Sequence, residues 1–141
     1  MVSFHRITLE NRALLDSVDE DVFDHAITPE RLEAFLTAPG HALFVAVENG
    51  TVVGHARGIV HVQPDRAADL YIDNLGVAGS EQRKGIATRL VRDLVAWGRT
   101  QGCTYVWVAT EPDNDVAIAF YGAQRFERQA MEYFGTPVEE T

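Results

Sequence analysis

The sequence predicts a single mixed α/β domain over residues 1–141, with a mostly antiparallel sheet flanked by helices. Three observations carry that expectation. Two β-rich runs, residues 43–48 and 51–62, meet at Asn49-Gly50, a dipeptide that accepts the positive φ angles of a type I′ hairpin turn. Residues 82–101 place apolar side chains at Ile86, Leu90, Leu94 and Trp97, the spacing of one amphipathic helix. Finally, 46% hydrophobic and 23% charged residues suit one globular core, and no repeat, low-complexity tract or linker divides it.

Each element follows from local chemistry. Residues 2–8 alternate weakly and read as a first strand. Residues 10–18 and 28–36 read as helices, the second opened by Thr28-Pro29-Glu30 with proline at the first helical position. The hairpin comes next, and the loop around Gln63-Pro64-Asp65 returns the chain into a third strand of the meander, 70–77. The long helix 82–101 stops at Gly102. Residues 105–109 form a short, wholly apolar strand. Residues 114–124 make a short helix with Val116, Ala119, Phe120 and Ala123 turned inward, and 126–134 a last strand.

Composition excludes several functions. Twelve Lys and Arg against 21 Asp and Glu leave a net charge of −9, which opposes attraction to nucleic-acid phosphates or anionic lipid. The longest uninterrupted apolar run, 42–47, falls far short of the roughly 20 residues that cross a bilayer. The N-terminus lacks a basic-then-apolar signal pattern, and the sole cysteine, Cys103, has no internal partner, so a cytoplasmic protein is expected. His5, His25, His41, His55 and His61 show no metal-ligand spacing, and neither they nor Cys103 receive a role.

The chemistry lies in residues 75–88, a strand, a short loop and the start of the long helix. A helix N-terminus offers unpaired N–H groups and a positive dipole end, and Gly85 with Ala87 keeps side chains clear of a large anion approaching that backbone, as a pyrophosphate would. A Walker loop needs lysine after its second glycine, whereas Lys84 precedes Gly85, and no G-x-G-x-x-G follows any strand. ATP and NAD are therefore disfavoured. A second motif, residues 114–121, opens the short helix: Asn114 can cap it, and Ala117 and Tyr121 share one face at i, i+4.

Gln82-x-x-Gly85-x-Ala87 resembles the Q/R-x-x-G-x-G/A signature of the GNAT acetyltransferases, and residues 114–121 resemble their second acetyl-CoA motif, with Tyr121 at the catalytic tyrosine. The resemblance covers nearly the whole chain. It implies an α+β fold with a splayed mixed sheet, pantetheine lying between the fourth and fifth strands, here 70–77 and 105–109. It also implies acetyl-CoA as cofactor, held by Leu75, Val77, Gln82, Arg83, Lys84, Gly85, Ile86, Ala87, Thr88, Asn114, Ala117 and Tyr121, and a homodimer. Arg125-Phe126 departs from the usual Gly-Phe and leaves the turn geometry there open.

Within the family, residues 69–79, 82–88 and 117–121 resemble the aminoglycoside 3-N-acetyltransferases, which implies the 3-amine of an aminoglycoside as acceptor and antibiotic resistance as the role. Glu111 stands where that subfamily carries an acid just past the fifth strand. Amine acetylation needs a base to free the nucleophile and an acid to protonate the departing thiolate. Glu111 and Asp73 are the base candidates, Tyr121 is the acid, and Asp73, Glu111 and Asp113 are the expected acceptor contacts. Two acidic clusters, Asp16, Asp19, Glu20, Asp21 and Asp24, and Glu111, Asp113 and Asp115, suit either a polycationic amine or simple solubility. The alternatives are acetylation of a polyamine or a protein or peptide amine, and a noncatalytic acyl-CoA-binding module.

Overall fold

The computed structural model describes residues 1–81 and 85–139. The chain divides into two compact units, Met1–Ala109 and Thr110–Thr141.

The first unit is built on a five-stranded sheet in sequence order: β1 (Val2–Arg6), β2 (His41–Glu48), β3 (Thr51–His61), β4 (Asp69–Val77) and β5 (Tyr105–Trp107). Neighbours from β1 to β4 pair antiparallel, and β5 joins β4 in parallel. The hairpin forms as expected: Asn49 and Gly50 take φ values of 52° and 77°, both in the left-handed region that a type I′ turn demands.

Helix α1 (Pro29–Thr37) starts at Thr28, whose hydroxyl accepts a hydrogen bond from the Arg31 N–H at 3.3 Å. The helix expected over 10–18 is only a 3₁₀ turn, Arg12–Asp16. Its extension is blocked by backbone pairing, because the Val52 N–H donates to the Ser17 carbonyl at 2.8 Å and the Asp19 N–H to the Val52 carbonyl at 2.9 Å. Segment 17–19 is therefore drawn out as a short bridge along β3.

Helix α2 (Ile86–Thr100) buries Ile86, Leu90, Val91, Leu94 and Trp97 on the sheet. Each such aliphatic side chain contributes about 1.5–3 kcal/mol on full burial. Arg89 lies 4.5 Å from the Phe4 ring and Arg6 lies 5.3 Å from the Trp97 ring, which ties β1 to the same helix. Gly102 ends the helix at φ 90°, with the Cys103 N–H reaching back to the Gly98 carbonyl at 3.0 Å. Strand β5 is shorter and wetter than expected. It pairs over three residues, and Tyr105 and Trp107 are exposed, because alternate positions of a one-sided strand face away from α2 whatever their polarity.

The second unit holds α3 (Asp115–Ala123), capped by the Asn114 side chain, which accepts from the Ala117 N–H at 3.1 Å. Its half-buried face is Ala117, Ile118, Phe120 and Tyr121, whereas Val116, Ala119 and Ala123 are exposed. The inward face expected from the sequence is corrected accordingly. Residues 116–121 are apolar nearly all round, so periodicity there carries no direction. Arg125 takes φ 67°, and the Phe126 N–H closes on the Tyr121 carbonyl at 3.0 Å. Arginine thus ends the helix in the conformation a glycine would adopt, at a strain of about 1 kcal/mol. The strand expected over 126–134 is absent: those residues have no ladder partner among the described residues, and Met131, Tyr133 and Phe134 are exposed. Alternating polarity creates a strand only where a second edge completes its hydrogen bonds.

Among the described residues no helix is long and apolar enough to cross a membrane.

Candidate active site

Strand β4 gives the first unit its distinctive edge. On one side it pairs with β3 along its whole length, with one irregularity: Arg57 faces Asn74 while the next residue, Gly58, faces Ile72. Asp73 is the extra residue, and a bulge of this kind re-aims the side chain it carries. On the other side the ladder to β5 stops at Tyr71 and Trp107. Residues 72–77 therefore run on beyond the end of β5, with Leu75 and Val77 half-buried. A parallel pair that parts in this way leaves one strand's edge to take an extended amide-bearing ligand.

Past β4 the chain makes a 3₁₀ turn, Gly79–Glu81, and enters α2. Gln82, Arg83 and Lys84, three of the expected cofactor residues, lie outside the described residues. Gly85 stands at the helix N-cap with φ 78°, and its carbonyl accepts the first helical bond, from the Arg89 N–H at 3.1 Å. Among the described residues no side chain caps this end, and a Cβ at Gly85 would meet none of their atoms within 4 Å. A helix start with an open approach is the arrangement a phosphate group requires. Ile86 is buried beneath it, with Ala87 and Thr88 half-buried. The shape of this turn and the stretch of β4 beyond its ladder with β5 fit the cofactor expected from the sequence.

The face of β4 opposite α2 carries a polar group that sequence reading only partly found. Asp73 accepts a hydrogen bond from Arg57 Nε at 2.9 Å, an ion pair whose members are each about one-third exposed. Asn74 donates through Nδ2 to Asp24 Oδ2 at 3.2 Å. Next to them on β3, opposite Gly76, is His55, fully buried and stacked on Phe23 with ring centroids 3.9 Å apart. Burial pushes its imidazole down to about 3, helped by the Arg57 charge and opposed by the Val22 carbonyl, Asp24 and Asp73. Among the described residues neither ring nitrogen has a hydrogen bond of good geometry. Gly76 is obligatory here, because a Cβ would overlap the Val22 carbonyl oxygen. The signal for Arg57 and His55 was available in the sequence as charged and titratable residues two apart in a β-rich run, which puts both on one face.

At the closed end of the edge, Trp107 stacks on Tyr71 with centroids 4.3 Å apart and donates through Nε1 to Asp69 at 2.7 Å. Cys103 is half-buried, and burial and the nearby Asp69 push its thiol up, away from reactivity.

In the second unit, Ala117 and Tyr121 share the half-buried face of α3, as the i, i+4 spacing requires. The Tyr121 ring packs against Phe120 and Phe126, and burial pushes its hydroxyl up to about 12. It therefore stays protonated throughout the physiological range. Glu111 and Asp113 are exposed on the turn before the helix, their carbonyls accepting the N–H groups of Asn114 and Asp115.

Known proteins resemble this chain in sequence and in fold. Over 110 residues the chain is 33% identical to the N-alpha-acetyltransferase RimI of Mycobacterium tuberculosis, covering 78% of this chain and 67% of that one. Over 106 residues it is 25% identical to an aminoglycoside N(6')-acetyltransferase type 1 of Salmonella typhimurium, covering 72% and 73%. The fold is shared with AAC(6')-Iy bound to the bisubstrate analog CoA-S-monomethyl-acetylneamine, at a TM-score of 0.78, 20% identity and coverage of 98% and 99%. Residues 9–126 match the acetyltransferase (GNAT) family. With that match spanning most of the sequence, the chain belongs to the GNAT family of acetyl-CoA-dependent N-acetyltransferases.

Proposed function

We propose that this chain acetylates an amine of a small polycationic acceptor, with an aminoglycoside as the best fit. The observation that carries this reading is the acid-rich face of β4 where the strand runs past the end of β5: the bulge turns Asp73 there, and with Asp24 it sets two carboxylates beside the guanidinium of Arg57. The net charge of −9 and the likeness to an aminoglycoside acetyltransferase support it. The subfamily resemblance pointed to the 3-amine. The relatives that carry a position in their names carry 6′, which favours the 6′-amine instead.

Acetyl-CoA supplies an acetyl thioester, open to attack by an amine with release of the CoA thiol. The residues divide the remaining work. Leu75 and Val77 hold the pantetheine arm along β4. The backbone of Gly85, Ile86, Ala87 and Thr88, flanked by Gln82, Arg83 and Lys84, holds the pyrophosphate. Asn114 fixes the start of α3, and Ala117 leaves room beside Tyr121. Glu111 or Asp73 takes the amine proton, directly or through water, Asp113 adds a contact for the acceptor, and Tyr121 protonates the thiolate.

Tyr121→Phe keeps the ring and loses only the hydroxyl. It is expected to lower kcat by about 10²-fold with little change in KM for acetyl-CoA. An unchanged kcat, with chemistry shown to limit turnover, assigns the proton to water instead.

The acceptor itself is tested by thiol release from acetyl-CoA with deoxystreptamine aminoglycosides, spermidine and short peptides bearing a free N-terminus, with the acetylated position read from the product by NMR. Turnover of aminoglycosides at the 6′-amine supports the proposal, and acetylation at the 3-amine restores the subfamily assignment. The 33% identity with an N-alpha-acetyltransferase favours a second reading, a protein N-terminus as acceptor. Turnover of peptides alone establishes that reading and removes the first.

A further inference from the structure

We propose that Trp107 holds a second, still charged ammonium group of the acceptor while the first reacts beside β4. The proposal rests on the polycationic-acceptor reading above and names the side chain that recognises the remainder of the molecule.

Trp107 is the last residue of β5 to pair with β4, opposite Tyr71. A Cβ at Gly98 of α2 would fall 3.0 Å from Leu70, and one at Gly58 would fall 3.1 Å from Leu94, so Leu70 and Gly58 face that helix. Their strand neighbours Asp69, Tyr71 and Arg57 therefore point the other way. Trp107 joins them, stacked on Tyr71 with centroids 4.3 Å apart and donating through Nε1 to Asp69 Oδ2 at 2.7 Å. Asp73, bonded to Arg57 at 2.9 Å, shares this face.

The indole is fixed without being buried. Gln63 Nε2 donates to the other oxygen of Asp69 at 2.7 Å, and Arg66 Nε donates to Gln63 Oε1 at 2.6 Å, so the carboxylate that orients the ring is itself held. Trp107 is nonetheless 40% exposed. A ring ordered at the surface in this way meets a ligand without first losing conformational freedom.

Chemistry and position decide what it binds. An indole face attracts a cation more strongly than a phenyl or phenol ring does. A carboxylate on the indole N–H polarises the ring and strengthens that attraction. Tyr71 and Asp73 stand two positions apart on β4, about 7 Å of extended strand. An acceptor that presents one amine to Asp73, a base candidate, brings a neighbouring ammonium within reach of the Tyr71–Trp107 stack. An aromatic ring accepts no proton, so that ammonium stays charged and unreactive while the amine at Asp73 becomes the nucleophile. The stack thereby selects which amine is acetylated.

The test compares wild type with Trp107→Leu, Trp107→Phe and Tyr105→Leu, using the polycationic amine of the panel above that wild type turns over fastest. Trp107→Leu is expected to raise the acceptor KM about 5- to 10-fold, with the acetyl-CoA KM unchanged. Trp107→Phe keeps a weaker cation binder and loses the bond to Asp69, so a smaller rise is expected, and this variant carries the test should Trp107→Leu fail to fold. The other tryptophan, Trp97, is buried on α2, so acceptor titration should change tryptophan emission in wild type and not in Trp107→Phe. Tyr105→Leu removes another exposed aromatic from β5, farther from Asp73, and should leave the acceptor KM as it was. With an acceptor analogue carrying a hydroxyl in place of the neighbouring amine, wild type and Trp107→Leu should share one KM; a difference that persists overturns the ammonium assignment. An unchanged acceptor KM in both Trp107 variants, or emission that responds equally in Trp107→Phe, overturns the role of Trp107 and leaves the acetyltransferase reading standing. An equal rise in the acetyl-CoA KM assigns the stack to the cofactor, and an equal rise in Tyr105→Leu makes the effect nonspecific; either overturns the proposal. If wild type acetylates no polycationic amine, the proposed function fails and this inference fails with it.

Discussion

Gly85→Glu is expected to weaken CoA binding by about 10²- to 10³-fold while the protein stays folded. Two effects on stability nearly cancel. Gly85 has φ 78°, so a side chain there costs about 1 kcal/mol in backbone strain. A carboxylate at the N-cap of α2 meets the positive end of the helix dipole, which returns about 0.3–1 kcal/mol. Among the described residues space does not add to the cost, since a Cβ at this position meets none of their atoms within 4 Å. Binding has no such compensation. A carboxylate placed about 4–5 Å from a phosphate interacts repulsively by roughly 4 kcal/mol at an effective dielectric of 20, and it also fills the approach. Calorimetric titration with CoA, paired with a thermal melt, separates the two outcomes. Wild-type affinity in a folded Gly85→Glu protein would remove the pyrophosphate assignment. Gly85→Asn is a useful companion, because asparagine tolerates the left-handed conformation and adds no charge. Its loss of affinity should be much smaller.

How much was legible in the sequence depended on how local the governing physics is. The hairpin at Asn49-Gly50 was readable because two adjacent residues determine its turn, and both took the required φ. Helix α2 was readable because its apolar spacing is long and its stop at Gly102 is chemical rather than contextual. The cap at Asn114 was readable for the same reason. What failed needed information from elsewhere in the chain. The helix over 10–18 was displaced by pairing of 17–19 with Val52, a contact between distant segments. A strand over 126–134 required a partner edge that periodicity cannot supply. Within the candidate site, Gly85 was singled out by motif spacing and Asp73 by the need for a base, whereas the Arg57 partner of Asp73 and the Asn74 partner of Asp24 were not. Such partners depend on strand register, here including a bulge that brings Asp73 round to Arg57. A sequence shows that an acid is present; the register shows whether its charge is already matched.

Acidification is expected to destabilise the first unit through one residue, His55. Its imidazole is fully buried, and burial, reinforced by the Arg57 charge, lowers its pKa from the usual 6.5 to about 3. Above pH 6.5 both folded and unfolded chains carry it neutral, and its contribution to stability is complete. As pH falls below 6.5 the unfolded chain binds a proton that the folded chain does not, so stability is lost progressively until pH reaches about 3. At 1.36 kcal/mol for each pH unit, the loss is roughly 2 kcal/mol by pH 5 and about 4 kcal/mol near the end of the window, a large share of a typical domain's 5–15 kcal/mol. Exposed carboxylates also titrate at the acid end, so the assignment needs a variant. His55→Phe keeps a flat ring against Phe23 and removes both the titration and the two unsatisfied nitrogens. Urea unfolding between pH 7 and pH 4 should then show a shallower pH slope for the variant than for wild type, with the difference opening below pH 6.5. Parallel slopes would mean that the ring is protonated in the folded protein as readily as in the unfolded chain. In that event the packing of Val22 and Phe23 over β3 and β4 would have to admit water or a counter-charge to His55.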